Sequence, residues 1–206
     1  MFSISIDSKS VCVVLGEGRA VRVPRSFSYS TWLVLVLVMA IGKAQAHSPW
    51  SQYQVYRQEH LLIMSTRVDQ PTYEYSLLLI DAINEVLPEA SARPARAKDW
   101  VRVHSLFKTK QIPLVLLSSE NANGLISGSG PFAGESAVNA VVLYRFGDLI
   151  LLAQPDFPEG HAWLVTNAII RQQSSLPGTV DPTVMLGQDN LHQGSRSALQ
   201  GKPLNP

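Results

Sequence analysis

A chain of 206 residues and 22.6 kDa holds one domain of ordinary size or two small ones, which excludes a large multidomain assembly. With 46% hydrophobic and 16% charged residues it is too apolar for a disordered chain, and a net charge of +1 gives no electrostatic ground for nucleic-acid binding. The single cysteine, Cys12, excludes an internal disulfide framework and a cysteine-cluster metal site.

The first signal along the chain is an address. Arg19, Arg22 and Arg25 precede an unbroken apolar run over 32–42, and the run closes on Lys43, Ala44, Gln45 and Ala46. Basic flank, apolar middle and small-residue box are the three parts of a secretory leader, so residues 1–46 are expected to be a signal peptide cleaved near Ala46. The run is shorter than the roughly 20 residues a spanning helix needs. Left uncleaved, it would act as a membrane anchor. The flank is long for a leader, which suggests a start codon further downstream. The product, residues 47–206, would be periplasmic or secreted. It carries 12 basic and 14 acidic residues, a net charge of −2, and no polybasic patch for a membrane surface.

A polar and aromatic lead-in over 48–59 is followed by a short apolar run, Leu61 to Met64, ended by Ser65, Thr66 and Arg67, which suits a strand covered on both faces. After a turn at Asp69, Gln70 and Pro71, apolar residues at steps of three and four predict a helix over 73–87, with Thr72 as N-cap and Pro88 as stop. Residues 92–98, interrupted by Pro94, predict an edge strand. Asp99 caps a helix over 100–110. A second buried strand is expected over 114–117, then a short helix over 120–126. Residues 138–144 and 149–153 predict a hairpin, and a helix follows over 158–172. The alternation argues for an α/β domain over 47–173, a three-layer, mainly parallel sheet with helices on both faces. Residues 174–206, rich in Pro, Gly, Gln and Ser, are expected to form an extended tail with one helical turn near 195–199.

Chemistry-bearing patterns are sparse. His60, His104, His161 and His192 stand in no ligand spacing, so helix-packing or solvent-facing roles are expected and no metal site. Ser118 and Ser119 lack the glycine elbow of a serine hydrolase, and no catalytic residue is assigned. Gly128, Gly130 and Gly134 lack the Lys-Ser/Thr ending of a phosphate loop and read as a turn before Phe132. No cofactor is expected. One placement does point to binding: ligands of open α/β sheets sit beyond the carboxyl ends of the strands. Thr66 and Arg67 end the first strand of the domain, and Ser118 and Ser119 end the third. If those strands are neighbours, the four residues form a seat for a small organic anion. Alternatively they cap helices and pair locally.

In several local phrases the chain resembles the TAXI-type solute-binding proteins of tripartite ATP-independent periplasmic (TRAP) transporters, members of the type-two periplasmic binding-protein fold. The phrases are the strand end over 61–67 with the helix ending Ile83, Asn84, Glu85, Val86, Leu87, Pro88; Gly130, Pro131, Phe132, Ala133 before a strand; Asp156, Phe157, Pro158 opening the late helix; and Leu191, His192, Gln193, Gly194. The chain departs from the pattern in having Ser65, Thr66 and Arg67 where a glycine-rich phrase is usual, and in offering one lobe where such receptors have two. The resemblance implies one binding-protein lobe that takes a small organic anion and delivers it to a membrane transporter subunit, or that pairs as a homodimer to rebuild a cleft. Two further readings stay open. One is a non-catalytic periplasmic interaction or accessory module derived from a lobe. The other is a small exported enzyme whose residues converge from separate loops.

Overall fold

The computed structural model describes residues 59–204 with their side chains and, for the backbone alone, residues 3–7, 10–15 and 19–24. The chain divides into two units, Met1–Pro49 and Trp50–Pro206. In the first, β1 (Ser3–Asp7), β2 (Ser10–Leu15) and β3 (Arg19–Pro24) form an antiparallel three-stranded sheet. The valines of β2 and β3 suit the extended backbone. Arg19 and Arg22, expected as part of a basic flank, are strand residues of β3. The apolar run 32–42 and the box 43–46 lie outside the described residues.

The second unit is an α/β domain. Its elements are β4 (Leu62–Thr66), α1 (Thr72–Val86), β5 (Arg93–Ala97), α2 (Trp100–Lys108), β6 (Leu114–Ser118), α3 (Ser119–Ser127), β7 (Val141–Phe146), β8 (Leu149–Ala153), α4 (Glu159–Arg171), α5 (Pro182–Met185) and α6 (Gln193–Leu199). The five strands lie in the order β5-β4-β6-β8-β7, with β4 parallel to both β5 and β6, and β8 antiparallel to both β6 and β7, so the sheet is mixed and not mainly parallel as expected, because the β7–β8 hairpin brings β8 in antiparallel beside β6. The path steps from β4 outward to β5, then back across β4 to β6. With right-handed crossovers that reversal puts α1 and α2 on opposite faces. Accordingly α1 packs with α4, while α2 and α3 meet at the 3-10 turn Gly130–Phe132, where Phe132 is fully buried with its ring 5.4 Å from Trp100. The apolar runs of β4, β6 and β8 fill the layer between the helices.

Local chemistry explains the element ends. Asp99 caps α2 through the Arg102 amide at 2.8 Å. Thr72, expected as the cap of α1, lies inside the helix behind Pro71, and its hydroxyl donates to the carbonyls of Asp69 and Thr66 at 2.6 and 3.0 Å. It closes the β4–α1 turn instead of accepting a helix amide. Gly128 ends α3 with φ of +69°, and a side chain there would meet the Glu135 carbonyl. The loop beyond is held down: His104 meets the Ser136 carbonyl at 2.8 Å and the Glu135 carboxylate at 3.3 Å.

The two edges of the sheet are finished differently. In β5 the Arg93 amide donates to Leu61 of the preceding loop, so positions 93, 95 and 97 turn toward β4 and position 94 turns outward. Pro94, without an amide hydrogen, stands on the free edge, as the sequence predicts. The β7 edge is covered by residues 174–204. Expected as an extended tail, this segment instead packs on the domain. The Val142 amide donates to Asn190 and the His192 amide donates to Val142, while the Gly147 amide donates to Gly178 and the Val180 amide to Arg145. Leu176, Met185 and Leu191 are buried. Gly194 lets α6 approach α4 so closely that an added Cβ would lie 2.1 Å from the Glu159 carbonyl. His192 caps α6, accepting from the Gly194 amide at 3.1 Å and donating to the Phe157 carbonyl at 2.9 Å.

Two buried phenols pin the same segment. Tyr75 donates to the Pro177 carbonyl at 2.7 Å and Tyr144 to Val180 at 2.8 Å. Burial, with a smaller push from Asp181, raises Tyr144 from 10.0 to about 12, and burial raises Tyr75 despite its hydrogen bond with Thr179. Unfolded tyrosines ionise near pH 10 while the folded ones stay neutral, so the stability they contribute is complete below pH 10 and is lost as pH climbs toward about 12. Thermal melts across that range are expected to drop steeply, and less steeply in Tyr144→Phe. At neutral pH the same variant is expected to lose roughly 1 kcal/mol with its hydrogen bond. Identical pH profiles for the two proteins would contradict this assignment.

Candidate functional site

Because β4 and β6 are parallel neighbours, Thr66, Arg67, Ser118 and Ser119 do come to one edge of the sheet. The polar atoms of Thr66, Ser118 and Ser119, however, are already engaged. Thr66 is fully buried; its hydroxyl accepts from the Val68 amide at 3.4 Å. The Ser118 amide donates to the carboxylate of Asp69 at 2.8 Å, and the Asn121 side chain donates to the other oxygen of that carboxylate at 2.9 Å and to the Ser118 hydroxyl at 2.8 Å. The Ser119 amide and hydroxyl both donate to the Asp148 carbonyl, at 2.7 and 2.9 Å.

The geometry follows from the β4–α1 turn. Thr72 folds residues 66–72 back on themselves, and the Asp69 side chain reaches across to the start of α3 with the residue only 5% exposed. Ser118, at the N-cap of α3, makes no side-chain cap of its own. A carboxylate from another element takes the place a bound anion would occupy, at the helix end where the backbone dipoles favour negative charge. On the far side of α3's first turn, the carbonyl at the β7–β8 turn does the same for Ser119. The donors at the start of α3 hold a carboxylate, and that carboxylate is the protein's own Asp69.

Arg67 takes no part in it. Its guanidinium lies 5.2 Å from the centre of the Tyr73 ring, and Arg96 lies 5.5 Å from the same ring. Asp69, Asn121, Asp148, Tyr73 and Arg96 were not legible as site residues. Asp69 reads as an ordinary turn residue, and its role depends on β4 and β6 being adjacent.

At the opposite edge of the sheet, a cavity of about 440 Å³ opens beside the residues that lead into β4 and β6, walled mainly by Leu61, Leu87, Pro113, Phe157 and Leu164, with Glu59, His60, Glu89 and His161 as its polar lining. Among the described residues no group of three or more His, Cys, Asp or Glu side chains is arranged to hold a metal ion. Nor is any described helix long and apolar enough to cross a membrane.

Compared with known proteins, the chain matches no family model and no curated relative.

Removing the Asp69 carboxylate leaves donors facing each other. Asp69→Asn, which turns one acceptor into a donor, is expected to cost about 1–3 kcal/mol in urea unfolding. Asp148→Ala, which keeps the backbone carbonyl, is expected to stay within about 0.5 kcal/mol of the parent. Equal losses in the two variants would contradict the assignment.

Proposed function

We propose that this chain is an exported, non-catalytic interaction module built on a single binding-protein-like lobe. The observation that carries the reading is the occupation of the anion seat by Asp69. The donors that a solute carboxylate would need, the Ser118 amide and the Asn121 side chain, are matched at 2.8 and 2.9 Å. A solute would have to displace a carboxylate that folding delivers at far higher effective concentration.

The lobe-like character is supported by the mixed five-stranded sheet with helices on both faces. Between Tyr144 and Pro158, where the resemblance puts the second lobe of a two-lobed receptor, the chain holds only the end of β7, a tight turn, β8 and the lead-in to α4. Among the described residues of the domain no second lobe closes over that edge to supply the burial that retains a small ligand. Export rests on the leader pattern over residues 1–46.

Solute capture for a TRAP-type system is the second reading, and one observation favours it: the donors at α3 converge on a carboxylate, so they have the chemistry to hold one from solution. Thermal shift separates the two. At a hundredfold excess over Kd a ligand adds about 2.7 kcal/mol, and each 1 kcal/mol moves Tm by roughly 2–4 °C in a domain of this size. The full chain is expected to show no shift with formate, acetate or succinate. Asp69→Ala, with the seat vacated, is expected to be stabilised by formate and acetate. A dose-dependent shift of several degrees in the parent protein would overturn the module reading and favour solute capture. On the same proposal, N-terminal sequencing of the exported product reads His47; an N-terminus upstream of residue 46 contradicts cleavage there.

A further inference from the structure

On the α1 side of the same sheet edge, two guanidiniums share one aromatic ring. In the β4–β5 register Ser65 pairs with Arg96, so the two side chains fall on the same face. Ser65 meets Ser76 of α1 at 3.0 Å, which identifies the face, and Arg67 follows two residues later. Tyr73, in the first turn of α1, receives both, at 5.2 Å from Arg67 and 5.5 Å from Arg96. Both arginines are exposed.

Neither guanidinium has a carboxylate partner among the described residues, whose ion pairs are Lys98–Asp99, His104–Glu135 and Lys110–Asp156. Two like charges beside one ring, neither paired with a carboxylate among the described residues, suit recognition of an anion, with the ring as an apolar support shared by both guanidiniums. The charge is local. Residues 47–206 carry a net −2, whereas Arg67 and Arg96 stand together over Tyr73, and Asp99, the acid that follows β5, is already engaged as the α2 cap and by Lys98. Beside the arginines stands apolar surface, with Val68 53% exposed next to Arg67 and Val101 64% exposed where α2 begins at the same edge.

We propose that Arg67, Tyr73 and Arg96 form the docking point for an acidic segment of a partner protein, whose carboxylates bridge the two guanidiniums and whose apolar side chains cover Val68. A protein partner fits better than an anionic membrane, because membrane surfaces are held by clusters of four to eight basic residues, and two arginines share this ring. Pro94 on the free edge of β5 directs the partner to side-chain recognition and away from strand addition. The inference rests on the interaction-module reading and names its partner class.

The test uses the full chain with three probes: a short synthetic peptide alternating Glu and Leu, its Gln/Leu counterpart, and phosphatidylserine vesicles. The Glu/Leu peptide is expected to bind, more weakly as salt rises, and the Gln/Leu peptide is not. Arg67→Ala and Arg96→Ala are each expected to weaken binding roughly tenfold, as loss of a charge-assisted fork contact does, with Tm unchanged. Arg67→Lys, keeping the charge without the fork, is expected to recover only part of it. The inference is overturned if the Glu/Leu peptide fails to bind, if it binds the double alanine variant as tightly as the parent, or if only the vesicles bind. Failure of the module reading looks different. There, free carboxylates stabilise the parent through the Asp69 seat, independently of Arg67 and Arg96.

Discussion

The edge of this domain is organised by one carboxylate. Asp69 sits in the turn between β4 and α1 and is bonded to the end of β6 and to the first turn of α3. It thereby joins the two crossover units that flank the centre of the sheet, and it satisfies an amide and a side-chain donor that would otherwise face solvent or a ligand. A buried carboxylate is costly unless each oxygen is matched; here one oxygen takes an amide and the other an amide side chain. Thr72 makes this reach possible, because its hydroxyl ties the turn to the carbonyls on either side of the loop.

With the seat closed from within, the rest of the domain reads as a body that has tidied its exposed ends. The β7–β8 turn supplies its carbonyl to Ser119, the C-terminal segment completes the β7 edge, and Pro94 blunts the β5 edge. The two guanidiniums over Tyr73 have no carboxylate partner among the described residues, and they stand on the side of the rim that Asp69 does not reach. Closure at one point and an unmatched charge beside it fit a surface used for contact more than a cleft used for capture.

Much of the fold was legible in the sequence because its signals are local. Apolar runs at Leu114–Ser118 and Leu149–Ala153, the helical spacing through Leu79, Ile80 and Ile83, the Asp99 cap and the proline-marked edge strand each depend on a few adjacent residues. The C-terminal segment was not legible. Its apolar residues, Leu176, Met185 and Leu191, are too far apart to make a periodic run, and its attachment to β7 is made by backbone groups that composition does not report. For the site, it was legible from the strand ends that Thr66 and Ser118 would share one edge, since β4 and β6 are neighbouring parallel strands. That the donors there are filled was not, because Asp69 and Asn121 lie 52 residues apart in the chain and meet only through the strand order. Arg67 was expected at an anion seat, whereas in the structure it lies over the Tyr73 ring beside Arg96, contacts that no local pattern encodes.

The central claim is that Asp69 holds the Ser118 amide in the resting protein. Native-state hydrogen exchange, resolved by residue on the full chain, tests it most directly. The account predicts that the Ser118 amide exchanges as slowly as the interior amides of β6 and becomes fast in Asp69→Ala while Leu116 stays protected. A Ser118 amide that exchanges freely in the parent protein, or one whose protection is indifferent to the loss of Asp69, would contradict it.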